Sequence, residues 1–269
     1  MITEKIQDPS SFYEDYIYLD RYSPTLTIED ASTLAVKMDR YSEVFFENKF
    51  VNYGVLPYFL EDFYLRLVYA MSDGNVEKIL KVSADMGHYI GDAHVPLHTT
   101  ENYNGQLTDQ IGIHAFWESR LPELFAEEQF DMVVGKAQYI DNKKEYFWGI
   151  ILESHSLLAE VLDDEWNLKQ TFPEDRQFCF DKRGETTVRT QCPEYAEAYH
   201  EALDGMVEKR MQDAILSIGS VWYSAWIDAG QPILIDYESN LDEDKLDKET
   251  KELDSARGAN GIYGRNHGR

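Results

Sequence analysis

The chain has 269 residues, 43% of them hydrophobic and 28% charged, which is enough for one sizeable core but includes no apolar run long enough to span a bilayer. Fifty acidic residues stand against 25 basic ones, a formal charge of -25. Such a body repels nucleic acid and anionic membrane at long range; this excludes a duplex binder with a basic footprint, though not a protein that takes a small phosphodiester into a metal pocket.

In chain order, residues 1–30 show neither a positively charged start nor an apolar stretch, so no signal peptide is expected there. Asp8-Pro9-Ser10-Ser11 reads as a turn, and the aromatic-rich residues 12–22 as an extended strap on the core. Leu34, Met38, Tyr41, Val44 and Phe45 recur at helical spacing and predict a helix over 31–49. Gly54 breaks that pattern. Pro57 suits the first turn of a helix over 57–71 that buries Phe59, Leu60, Phe63, Leu67 and Ala70. Ser72-Asp73-Gly74 then turns the chain.

Asn75 as a cap and Pro96 as a stop predict a helix over 75–95. Its apolar stripe is Ile79, Val82, Met86, Ile90 and Ala93; Asp85, His88 and Asp92 share a different face. Leu97 tucks in and leaves His98 on a turn. A polar loop over 99–108 follows, with Asn102, Asn104 and Gly105 as turn residues. Asp109 is the expected cap of a short helix carrying His114 and Glu118.

The stretch 85–118 holds four of the seven histidines. His88/Asp92 and His114/Glu118 are both spaced four apart, so each pair can aim at one ion from one helix face. One such pair is ordinarily a solvated surface pair. Two pairs plus His98 predict a metal site, and imidazole with carboxylate suits zinc without excluding other divalent ions. His94 lies off the ligand face and reads as packing or as support for a ligand. A di-iron carboxylate bundle fits poorly, because such sites use Glu-x-x-His pairs.

Beyond the site, Leu121 to Phe125 close the second ligand helix onto the core, and Trp117 packs. Asp141 or Asn142 caps a helix over 143–165, in which His155 has no assigned role. Residues 166–192 are the least regular part. Cys179 and Cys192, 13 apart, pair in an oxidising compartment and are two separate thiols otherwise; the closed loop contributes roughly 3 kcal/mol in the chain-entropy model. Pro193 opens a long helix over 193–228 with Leu203, Met206, Val207, Met211, Ile215, Ile218, Trp222, Ala225 and Trp226 as its stripe. Gly205 and Gly219 mark bends or close contacts, and His200 is structural. The expected fold is all-α: one helical domain over 1–235, then a charged tail over 236–269 with a solvated helix at 241–255.

His88-Tyr-Ile-Gly-Asp92-Ala-His-Val-Pro96-Leu-His98, followed by His114-Ala-Phe-Trp-Glu118, resembles the zinc-dependent phospholipase C and single-strand-specific (mung-bean-type) nuclease superfamily. The nearer likeness is to a bacterial branch of phospholipase C-like zinc proteins, in which HVPLHTTENYNGQLT, GIH and FWESRLPELF recur. It extends through Thr187-Val-Arg189-Thr and Trp222 to Gln231, covering most of 10–232. The resemblance implies a helical bundle, a cluster of three zinc ions, hydrolysis of phosphodiesters by metal-activated water, and export from the cytoplasm. It places His88 and Asp92 on one zinc, with Asp92 bridging to another, and His98, His114 and Glu118 on a second. Substrates would be a small phosphodiester, a phospholipid head group or a single strand. Glu118, where relatives have Asp or Glu, leans toward the phospholipase side.

The chain departs from the pattern in its first half. The family's N-terminal Trp and the His after it are absent, since the chain starts at Met1 and has no His before position 88. Pro57-Tyr58-Phe59 stands where the family has Pro-Trp-His. Asp15-Tyr16-Ile17-Tyr18 stands where it has His-Tyr-x-Asp, which leaves Asp20, two residues on, as the candidate for that catalytic or ligating acid. Two functions follow as expectations: a zinc phosphodiesterase, or a catalytically impaired relative keeping one zinc for structure or ligand binding.

Overall fold

The structure, a computed structural model, describes residue 54, residues 56–183 and residues 186–234. The expected helix at 31–49, the strap at 12–22, Tyr18, Asp20 and the tail from 236 lie outside the described residues.

Helices dominate. Helix α1 (Leu56–Asp73) and α2 (Val76–Ala93) form an antiparallel pair through Gly74, whose φ of 68° suits glycine. Asn75 caps α2 by accepting from the Lys78 amide at 3.0 Å. A 3-10 turn, Pro96–Thr99, leads into the loop before a continuous helical rod, α3. That rod runs through Ile113–Ala115, a wide π-turn at Phe116–Arg120, and Leu121–Gln129. After an extended strap, residues 130–142, come α4 (Lys143–Ser156), α5 (Leu158–Thr171), strands β1 (Phe178–Arg183) and β2 (Thr186–Gln191), α6 (Pro193–Ala202) and α7 (Met206–Asp228).

Two apolar clusters share α7. One gathers Leu60, Leu67, Met86, Ile90, Phe147 and Val221 from α1, α2, α4 and α7. The other gathers Leu97, Phe116, Leu121, Val161, Tyr199 and Val207 around α3, α5 and α6. Each side chain of this size contributes about 1.5–3 kcal/mol when fully buried. At the far end of α7, Asp228 accepts from Tyr64 Oη at 2.6 Å, Tyr139 Oη at 2.8 Å and Lys143 Nζ at 2.8 Å, locking α1, the strap and α4 to it.

Four expectations need correction. The chain is not purely helical: 178–191 form an antiparallel hairpin with Phe178 opposite Gln191. Its β-branched and aromatic residues favour a pleated pair over a helix. The helix over 143–165 breaks at Leu157, whose amide turns back to the Ser154 carbonyl at 3.2 Å, while the Ser156 hydroxyl takes the Glu153 carbonyl at 2.7 Å. The helix over 193–228 breaks at Asp204 and Gly205, both left-handed, with φ of 44° and 81°. Finally, α7 buries most of its apolar stripe, with Met206, Val207 and Ala225 buried and Met211, Ile218 and Trp226 packed against the clusters, but two stripe residues face out and polar residues take their place inside. Arg210, Ser217, Ser220 and Ser224 are buried, whereas Ile215 and Trp222 keep 40% and 38% exposure. The serines are buried because the strap needs them: Ser220 accepts from the Gln138 amide at 3.1 Å and Ser224 from the Ile140 amide at 2.9 Å.

Cys179 and Cys192 are joined in a disulfide that closes the base of the hairpin. The hairpin also leans on α3, where Arg120 meets Asp181 at 2.8 Å and donates to the Gln191 carbonyl at 3.2 Å. Reduction should lower stability by roughly 3 kcal/mol. The measurement is urea unfolding of native protein against a Cys179→Ser, Cys192→Ser double variant; equal midpoints would show that the bridge constrains nothing.

Candidate metal centre

Three side chains from two short segments converge. His98 comes from the 3-10 turn that follows Pro96, and His114 and Glu118 come from the start of α3. Pro96 stops α2 as expected, and Leu97, fully buried, pulls the turn inward so that His98 is only 4% exposed. Asp109 does not cap α3: it sits at φ 57° facing Lys169, and the rod begins after Gly112 at φ 97°. The π-turn around Glu118 has a local cause. Pro122 has no N–H to give the Glu118 carbonyl and its ring crowds that carbonyl, so the rod widens there.

The ligand atoms form a small triangle. His98 Nε2 lies 3.1 Å from His114 Nε2, His114 Nε2 lies 2.9 Å from a Glu118 oxygen, and His98 Nε2 lies 3.4 Å from the same oxygen. Ligands bonded at about 2.0–2.1 Å to a tetrahedral zinc stand about 3.3 Å apart, so the triangle has the dimensions of one face of that tetrahedron. His114 Nδ1 donates to the Tyr103 carbonyl at 3.1 Å, which turns the lone pair of a neutral ring toward the other two ligands. Three ligand atoms this close can be bridged by a ring N–H or hold a metal ion between them.

Burial opposes ionisation of Glu118. Its contacts with His114 and His98, and the charge of those rings when protonated, outweigh that effect and hold the carboxyl well below the usual carboxylate range. The group is therefore anionic at neutral pH. The His98 and His114 side chains are 5% and 0% exposed and that of Glu118 27%, so Glu118 is the member of the triangle nearest solvent.

The loop before α3 is built to hold His114. Asn102 accepts from the Leu107 amide at 2.7 Å and donates to Thr108 Oγ1 at 2.9 Å; Asn104 accepts from the Gly112 amide at 3.1 Å. Gly105 has φ 72°, and a Cβ there would run into the Gln110 backbone. Gln110 in turn donates to buried Glu165 at 2.7 Å, which also accepts from Tyr195 Oη at 2.8 Å. The turn side is held by Thr99, whose hydroxyl donates to the Pro96 carbonyl at 2.6 Å and lies 3.0 Å from His155 Nδ1.

The other expected ligands stand apart. His88 Nε2 and an Asp92 oxygen are 3.3 Å from each other, with His88 64% exposed. Among the described residues, the group of three possible ligands that meets is His98, His114 and Glu118, without that pair. Phe59, at the position where the resemblance has a ligating His, is buried against Phe63 and Tyr89, with ring centroids at 4.6 and 4.8 Å. Trp117 packs in the second cluster, and His200 stacks on Phe125 at 4.7 Å, both as expected.

His94 is a packed histidine beside the site. Its Nδ1 donates to the Ile90 carbonyl at 2.7 Å, and Nε2 accepts from Ser217 Oγ at 3.2 Å. Burial, aided by the Arg210 charge, lowers its pKa to about 4 from an ordinary 6.5. His94 also lines a separate 780 Å³ cavity whose wall includes Asp141, Glu145, Glu153 and Asp213, an acidic wall that disfavours phosphate.

Sequence reasoning missed the Tyr103 carbonyl, the Thr99–His155 contact and Arg210. Arg210 alone left a signal, being three positions after Val207 on the buried face of α7. No helix among the described residues is long and apolar enough to cross a membrane. Comparison with protein-family models, with curated proteins and with solved structures finds no match for the chain.

Two predictions concern this region. Between pH 4 and 6.5 the folded chain leaves His94 neutral while the unfolded chain protonates it, so stability is lost as pH falls through that window, by up to about 3 kcal/mol. His94→Gln should shrink the difference in urea stability between pH 4.5 and 7 by roughly 2 kcal/mol; an unchanged difference would remove His94 from the acid response. Gly105→Ala should cost about 1–3 kcal/mol and loosen metal retention, read by unfolding and by zinc content. Wild-type values of both would mean that the loop does not hold His114.

Proposed function

We propose that this chain is a zinc-dependent phosphodiester hydrolase of the phospholipase C and single-strand nuclease type. The triangle of His98, His114 and Glu118 carries this reading: three N and O ligands at tetrahedral spacing, with Glu118 nearest solvent, are the donor set of a zinc site with a free position. The sequence resemblance supports it independently, since it selects the same three residues as one complete ligand set. The largely helical architecture agrees with that family's fold, and the disulfide suits an exported protein.

These residues would hold the ion, which when bound supplies Lewis-acid polarisation of a phosphoryl oxygen and activation of water. The chain's own contribution is to orient and to exclude. Tyr103 fixes the His114 ring, Leu97 and Thr99 fix His98, and Glu118 brings negative charge that makes the site prefer a divalent cation. The acidic body favours a small or zwitterionic phosphodiester, such as a choline phospholipid head group, over a long single strand.

A second reading has its own support. Phe59 is apolar where a ligand belongs, and His88 is mostly exposed, so a chain keeping one zinc for structure or ligand binding also fits.

Metal content and hydrolysis of bis(p-nitrophenyl) phosphate decide between them. Zinc-dialysed protein should hold zinc by elemental mass spectrometry and cleave the ester. His114→Ala should lose the ion held by the triangle and reduce hydrolysis by roughly 100-fold. Zinc without hydrolysis would establish the second reading. Zinc content unchanged by His114→Ala would overturn both.

A further inference from the structure

We propose that Arg210 is a positioning residue for the metal triangle: from the middle of α7 it fixes the exit of α2, and so the turn that presents His98. This rests on the reading of His98, His114 and Glu118 as metal ligands. Arg210 is 2% exposed, an expensive place for a guanidinium. Its Nε donates to the His94 carbonyl at 3.0 Å, and one Nη donates to Ser154 Oγ at 2.6 Å. That hydroxyl donates to the Ala93 carbonyl at 2.6 Å. The other Nη meets Glu153 at 2.9 Å.

Two successive carbonyls at the end of α2 are thus held by one buried cation, directly and through Ser154. The last carbonyls of a helix have no partner within it, and a cation there is favoured by the helix dipole. Only Val95, Pro96 and Leu97 separate His94 from His98. Pro96 is stiff, and the His98 amide closes on the Val95 carbonyl at 3.1 Å, so little freedom lies between the clamp and the ligand. Metal ligands need placement within about 0.5 Å. An apolar residue of similar length would fill the same volume and offer no donor to either carbonyl.

The test is zinc affinity, by competition with a chromophoric chelator, with the visible spectrum of the Co2+-loaded protein as a report on ligand geometry. Arg210→Met should bind zinc roughly 10–100-fold more weakly and shift the cobalt bands, and Arg210→Lys should recover part of the loss. Asp228→Asn breaks the remote lock on α7, and should lower the unfolding midpoint while leaving zinc affinity and the cobalt bands at wild-type values. A folded Arg210→Met protein with wild-type affinity and spectrum would overturn the proposal, as would an equal loss in Asp228→Asn. Should Arg210→Met fail to fold, Ser154→Ala takes its place with the same expected weakening, and wild-type affinity there counts against the clamp. Zinc binding that depends on His114 but not on Arg210 or Ser154 would sink the clamp alone. Zinc binding independent of His114 would sink the site itself.

Discussion

Between Ala93 and His98 the chain must end a helix, leave one apolar cluster, enter another and bury an imidazole. That passage constrains the rest. Ala93 belongs to the cluster around α1, α2 and α4, and Leu97 to the one around α3, α5 and α6. The backbone between them cannot take water as a partner, so its carbonyls take Arg210 and Ser154, and Thr99 ties the turn to α4. Helix α7 supplies apolar side chains to both clusters and the guanidinium at their junction. The candidate metal triangle stands where the two clusters meet, and elements of both surround it.

The site was legible because its chemistry is local. His98, His114 and Glu118 lie within 21 residues, and both the stop at Pro96 and the i,i+4 spacing are written in the sequence. What lay hidden is non-local or belongs to the backbone. The Tyr103 carbonyl carries no side-chain signature, and the Arg210–His94 contact spans 116 positions. The same limit explains the error on α7. The period of 3.6 finds the apolar part of the buried face, but that face also carries serines, whose hydroxyls answer the needs of a strap 82 and 84 positions away. The hairpin escaped for a different reason: two strands of six residues, stabilised by a disulfide, have too little apolar alternation to announce themselves. Expectations for Asp20 concern residues outside those described.

Charge divides the molecule's surface by task. The whole chain is strongly acidic, yet the triangle pairs one carboxylate with two imidazoles, a local charge that changes sign when a divalent ion enters. The neighbouring cavity has four carboxylates in its wall and keeps its field negative. An anionic group approaching a chain of net charge -25 meets long-range repulsion, which a divalent ion held in the triangle would relieve locally. On the proposed reading, the acidic surface and a metal-loaded triangle would together favour compact anionic groups over long ones.

The strap on α7 carries a lesson about geometry. Ser220 and Ser224 are four apart on a helix, a rise of about 6 Å. Gln138 and Ile140 are two apart on an extended chain, a rise of about 6.6–6.8 Å. The two rulers nearly coincide, so each serine hydroxyl meets every second amide and the helix serves as the edge of a sheet without being a strand. A helix with serine at every fourth position can thus dock an extended segment in one register. A shift of the strap by one residue would present the wrong set of amides, so α7 fixes alignment as well as attachment.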